Sequence, residues 1–243
     1  MSGSSHVFIV CSPRARVGKT LVARLITEFY QSNGRAVSAY DLEPFEPALI
    51  EFLPDITTCQ SLNDIQGQMA LFDRLIDDDG KAKVIDLGHL ALEKFFTIAF
   101  DIDFAREARR RGISALVMYI ADQTSIGLKT YSILRDKLPD FGFVPVYNDA
   151  IARGPEFRKQ FPARAGGLAP LHVPQLSSPL RAIVDRRPFS FVETQARPPR
   201  DLPQNLREEL AAFVKRVFRE LREDELTLLM KSLNSTLAGK TGT

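Results

Sequence analysis

The sequence predicts an α/β protein: a mostly parallel, doubly wound sheet with helices on both faces, arranged in three layers. Three observations carry that prediction. Short β-branched and aromatic runs alternate with helical apolar patterns along most of the 243 residues, the order that builds parallel sheets. The first strand, loop, helix and strand follow one another at the length a right-handed βαβ crossover needs. Several of the short runs end in an acid or a turn residue, at the strand ends where open parallel sheets gather their ligands.

Taken in order, residues 7–10 read as a buried strand, and residues 11–20 as a loop. A helix is predicted over 20–33, because Leu21, Val22, Leu25, Ile26 and Phe29 recur at helical spacing and Asn33-Gly34 supplies a left-handed stop. Residues 36–40 form the second strand, which ends at Asp41 and opens a loop with two prolines and two further acids. A helix over 65–76 closes at Asp77-Asp78-Asp79-Gly80, and residues 83–86 make a third strand ending in Asp86. One long helix is expected over 92–111, then a continuous apolar central strand over 113–121 and a helix over 126–138 stopped by Pro139. Strands over 143–147 and 168–173 end at Asn148 and Pro174, and a short helix over 178–186 follows. The proline-rich stretch 197–203 is a linker by composition. It divides a core, residues 1–196, from an extension, residues 197–243, of one or two charged amphipathic helices packed on that core with a flexible tail.

Composition narrows the function classes. Apolar residues make up 44% and charged residues 26%, and the formal net charge is +2, so no global field draws the chain to nucleic acid or an anionic surface. The two cysteines, Cys11 and Cys59, form neither a metal nor a redox spacing and no disulfide framework, which points to the cytoplasm. The first apolar run is too short for a signal sequence or a membrane span. His6, His89 and His172 are too scattered for a metal site, and His89 reads as a polar residue at a helix start.

Chemistry concentrates in residues 11–20. Gly18-Lys19-Thr20 is the working end of a P-loop: backbone N–H groups at a helix start wrap phosphates, the Lys ammonium reaches the outer ones, and the Thr hydroxyl ligates magnesium. In the standard spacing the first glycine falls at Pro13, which has no N–H and a locked φ. Magnesium held against ATP needs hard oxygen ligands beyond Thr20, and the strand-end acids Asp41 and Asp86 are the candidates. The fold expected is therefore that of a P-loop NTPase.

The series of motifs resembles the ParA/MinD-type ATPases over residues 7–190. Pro13-Arg14-Ala15-Arg16-Val17-Gly18-Lys19-Thr20 is similar to that family's deviant Walker A loop, G-K-G-G-x-G-K-[ST]. Arg14 falls at the signature Lys, which in the family reaches across a nucleotide-sandwich dimer, and Ala15 and Arg16 fall at glycines. Asp41-Leu42-Glu43-Pro44 looks like the D-x-D-P switch, with Glu43 where the second Asp positions the attacking water. Residues 83–86 resemble the Walker B strand, although Leu87-Gly88-His89 replaces the usual D-[ST]-P. Asn148 matches the adenine-reading Asn, and Pro174 the loop that packs on the adenine.

The resemblance implies a weak ATPase that binds ATP or ADP with magnesium. It further implies an ATP-dependent homodimer, and a switch in DNA or plasmid partition or in intracellular positioning that engages non-specific DNA or an adaptor protein. Two other readings stay open: a nucleotide-binding regulatory module that does not hydrolyse, and an ATP-dependent ligase like dethiobiotin synthetase, whose loop also ends V-G-K-T. Arg106, Arg109, Arg110 and Arg111 form either a basic patch for phosphate backbones or a solvated helix end. Leu226, Leu229, Met230, Leu233 and Leu237 make an apolar stripe with few basic neighbours, expected to dock on the body or on a partner chain rather than a membrane.

Overall fold

The computed structural model describes residues 5–165 and 167–240, with 232–240 as backbone alone. The chain runs β1 (His6–Cys11), α1 (Lys19–Ser32), β2 (Val37–Asp41), α2 (Leu49–Phe52), β3 (Thr57–Cys59) and α3 (Ile65–Leu75). It continues through β4 (Ala82–Asp86), α4 (Leu92–Asp101), α5 (Phe104–Arg110), β5 (Ser114–Ile120), α6 (Ser125–Lys137) and β6 (Gly142–Asn148). The last elements are α7 (Pro155–Lys159), β7 (Leu171–Val173), α8 (Ser178–Val184), α9 (Phe191–Ala196) and α10 (Gln204–Lys240). The seven strands form one open sheet in the order β3-β2-β4-β1-β5-β6-β7, and every pairing is parallel. Helices flank it on both faces, an arrangement consistent with P-loop NTPases.

The apolar strands are explained by the two cores they serve. Phe8 and Val10 of β1 face one core with α1, α2, α8, α9 and α10, while Val7, Ile9 and Cys11 face the other with α3 to α7. A strand buried on both faces has no polar alternation to show. Because β1 lies between β4 and β5, with Val10 in register with Asp86, the loop after β1 opens beside the end of β4.

The structure corrects one expected element, adds short ones and fixes the form of another. The predicted helix 92–111 is two helices, because Asp103 adopts a left-handed backbone with φ 52°. Both halves bury their apolar residues in the same core, so periodicity alone reads through the break. Edge strand β3, three residues with two of them exposed, carries no apolar signal, and the four-residue α2 is too short for one. The extension is a single helix, α10; Leu206, Leu210, Phe213, Val214, Val217 and Leu221 bury one side of it in the first core. Leu226 and Met230 of the predicted stripe are exposed, while Leu233 and Leu237 lie outside the described side chains.

Helix α1 also carries buried charge that the apolar pattern concealed. Arg24, 1% exposed, donates to the carbonyls of Val184 and Phe189, each at 3.1 Å, with its guanidinium 3.7 Å from the Phe52 ring centre. One turn on, Glu28 accepts from Ser190 Oγ at 2.6 Å and from Val192 N at 3.0 Å. Together they fasten the α8–α9 segment to α1.

Candidate functional site

The loop between β1 and α1 is shaped by Gly18, the N-cap of α1, whose φ of 98° and ψ of 23° are left-handed. A Cβ there would also lie 2.5 Å from Asn148 Nδ2, so glycine is required twice over. Asn148 Nδ2 donates to the Val17 carbonyl at 2.9 Å, and Asn148 Oδ1 accepts from Ala150 N at 3.1 Å. The side-chain amide that the resemblance assigns to adenine thus braces the loop from the end of β6. Pro174, half-buried after β7, lies in a segment fixed to α10, where Ser177 N and Oγ donate to Glu209 at 2.6 and 2.7 Å.

Lys19 and Thr20 begin α1 and point into the site. Lys19 Nζ donates to the Arg14 carbonyl at 2.7 Å, folding the ammonium back over the loop. Burial lowers its pKa, partly offset by the negative charges of Asp86 and Glu43. Thr20 Oγ1 donates to Asp86 Oδ2 at 2.6 Å. Asp86 is fully enclosed, and burial pushes its pKa up to about 7, with the Thr20 hydrogen bond and Lys19 pulling it down and Asp41 and Glu43 pushing it up. A carboxylate held at that cost beside a hydroxyl fits a hard divalent cation, which would repay the lost hydration. Among the described residues no group of three or more His, Cys, Asp or Glu gathers to hold a metal. Magnesium meets this donor set, since it takes one or two protein oxygens and completes its shell with phosphates and water.

Asp41 sits in register with Asp86 on the neighbouring strand. Its oxygens accept from the backbone N–H groups of Leu49 at 2.7 Å, Glu43 at 3.1 Å and Ile50 at 3.4 Å. It therefore folds the loop 42–48 and caps α2. That loop brings Glu43 to His89, with 3.6 Å between Glu43 Oε2 and His89 Nδ1. His89 precedes α4, which starts at Leu92, so it is a loop residue facing the site and not the start of a helix.

Of the remaining loop residues, Arg14, Ala15 and Arg16 are exposed, Pro13 is half-buried and Val17 is buried. Arg14 Nη1 lies 3.5 Å from Asp122 Oδ1, an acid at the end of β5 that sequence reasoning missed. The signal was available: Asp122 ends the most apolar run, as Asp41 and Asp86 end theirs. Arg16 stands with φ 59°, backbone that a residue with a Cβ adopts at a cost of about 1 kcal/mol or more. Arg16→Gly is therefore expected to raise stability by up to about 1 kcal/mol in urea unfolding, the gain being trimmed by the freer unfolded chain.

A cleft of about 600 Å³ opens over these groups. Lys19, Thr20, Glu43, Asp86 and His89 line one part, and Arg24, Phe52, Arg181, Asp185 and Arg187 another; Asn148 and Pro174 are not among its lining residues. At its rim Phe45 and Leu90 are 77% and 59% exposed. Away from the cleft, the four clustered arginines each meet an acid: Arg106 with Asp103, Arg109 with Asp140, and Arg110 and Arg111 with Glu107. Among the described residues no helix is long and apolar enough to cross a membrane.

In comparisons with known proteins, no family model matches this chain and no curated protein matches it in sequence.

Proposed function

We propose that the chain is a cytoplasmic, magnesium-dependent ATPase of the ParA/MinD type that works as a nucleotide-controlled switch. The observation that carries this reading is the grouping of Lys19, Thr20 and Asp86 at the meeting of β1, α1 and β4, where Thr20 Oγ1 and Asp86 Oδ2 lie 2.6 Å apart. Lys19 leaves the Arg14 carbonyl to engage the β- and γ-phosphates, while the N–H groups from Ala15 to Thr20 cradle the phosphate oxygens. Thr20 and Asp86 would hold magnesium, with Asp41 behind them shaping the switch loop. The ion, when bound, supplies positive charge against the developing phosphate charge.

Glu43 positions the attacking water. Arg14, exposed at the front of the loop, contacts the nucleotide of a second copy when ATP draws two chains together; a guanidinium clamps phosphate oxygens as an ammonium does, with a planar fork. Hydrolysis to ADP resets the dimer, and the nucleotide state selects a partner surface such as DNA or an adaptor protein.

Two measurements test the reading. ATP should be bound and hydrolysed slowly, with phosphate release falling about 100-fold or more in Lys19→Ala. Light scattering should give a dimer with a non-hydrolysable ATP analogue and a monomer with ADP. A dimer equally strong with both nucleotides would refute the switch, and release unchanged in Lys19→Ala would refute the site.

A further inference from the structure

We infer that His89 is the positioning residue for Glu43, so that the loops after β2 and β4 carry a Glu–His pair aimed at the outer end of the phosphate site. The inference rests on the ATPase reading above and assigns a role within it that the loop motif does not supply. Four observations bring the pair together.

The two loops are tied at their roots, where Leu42 N donates to the Asp86 carbonyl at 3.0 Å. They then run in contact: a Cβ at Gly88 would lie 2.9 Å from the Cα and Oε2 of Glu43 and 2.9 Å from the Leu42 carbonyl. Gly88 is thus the opening through which the Glu43 carboxylate reaches the second loop. The imidazole stands next in sequence. His89 Nδ1 is shielded from solvent without a hydrogen-bond partner, and the nearest acid oxygen recorded for it is Glu43 Oε2 at 3.6 Å. A buried ring nitrogen with no partner costs free energy, and a small closure of the cleft would satisfy it. Site hydrogen bonds are commonly long before substrate tightens them.

The fourth observation is placement. Glu43 and His89 line the same cleft as Lys19, Thr20 and Asp86, so the pair shares a cavity with the groups that take the phosphates. Held by an Nδ1–H donor on one oxygen, Glu43 keeps the other free for water. In the step this serves, a water oxygen bonds to the γ-phosphorus while the bond to the β–γ bridging oxygen breaks and its electron pair leaves with ADP. The proton released by the water passes to the Glu43 carboxylate and on to phosphate. The extra methylene of Glu43 relative to the family's Asp makes such a brace useful, because it adds a rotatable bond.

The pair is tested by a double-mutant cycle on the full chain: wild type, His89→Ala, His89→Asn, Glu43→Gln and Glu43→Gln/His89→Ala. Affinity for a fluorescent ATP analogue and steady phosphate release are both read. His89→Ala is expected to lower turnover about tenfold or more, below the 100- to 10,000-fold range of a general base itself, with nucleotide affinity changed less than about twofold. His89→Asn, whose amide N–H can stand where Nδ1–H stands, should restore most of the turnover. In the Glu43→Gln background the His89→Ala loss should vanish, because residues that act as one unit are not additive.

Three results overturn the inference: turnover unaffected by His89→Ala, a loss just as large without Glu43, or His89→Asn as damaging as His89→Ala while both fold. Failure of the underlying reading looks different, since the wild type would then show no ATP affinity or no Lys19-dependent release.

Discussion

Arg24→Ala is expected to destabilise the protein by about 3–5 kcal/mol, the range found when one member of a buried charged network is removed. Chemical denaturation with the midpoint followed by circular dichroism measures it. Arg24 is charged but enclosed; burial lowers its pKa to about 10, with Glu28 and Asp185 drawing it back up. Truncation strands the carbonyls of Val184 and Phe189, empties the space over Phe52 and Phe191, and leaves Glu28 without its attracting charge. Arg24→Lys should recover only part of the loss, because an ammonium cannot reach two carbonyls with one planar fork. The change should also reach the cleft, since Arg181, Asp185 and Arg187 belong to the segment that Arg24 fastens. A cost below about 1 kcal/mol would mean the charge is dispensable to the fold.

Asp86→Asn is expected to stabilise the nucleotide-free protein at pH 8 by about 2–4 kcal/mol while abolishing magnesium-dependent nucleotide binding. The sign follows from proton counting. Burial raises the folded-state pKa of Asp86 from 3.8 to about 7, so between those values the folded chain holds a proton that the unfolded chain has released. Stability therefore falls as pH rises from about 4 to about 7. Asparagine has no charge to bury and can still accept from Thr20 Oγ1, so its melting temperature should be flatter across that window. A wild-type melting temperature that climbs over the same range would oppose this account of Asp86.

Where the two faces of the sheet repeat a local rule, the sequence reads through to the structure. The strand ending at Asp86 and the loop-to-helix junction at Gly18 were legible because they depend on a few neighbouring residues: an apolar run, a glycine at a helix start, an acid at a strand end. The unforeseen features depend on distant ones. Arg24 sits on an otherwise apolar helix face, and only the backbone carbonyls some 160 residues away explain it. Asn148 stands out by its place at a strand end, but its bond to the Val17 carbonyl exists only in three dimensions. His89 reads from its neighbours as a helix-start residue, because nothing in a linear chain reports that Gly88 lets a second loop come within contact. The left-handed turn at Asp103 was hidden for the opposite reason: the apolar spacing on either side of it fits one helix as well as two.

The place of β1 in the sheet has a consequence for how the molecule is made. Its two neighbours, β4 and β5, begin at Ala82 and Ser114, the brace from Asn148 spans 131 residues, and the carbonyls that hold Arg24 lie 160 and 165 residues away. Pairings of such long range are slow to form, because the chain entropy of closing the loop is lost before the contacts reward it. Synthesis runs from the N-terminal side, so the phosphate loop is made well before the segments that hold it and α1, the Asn148 amide and the Val184 and Phe189 carbonyls. The loop is therefore completed late, and a chain cut short before α9 carries the motif without all of those supports.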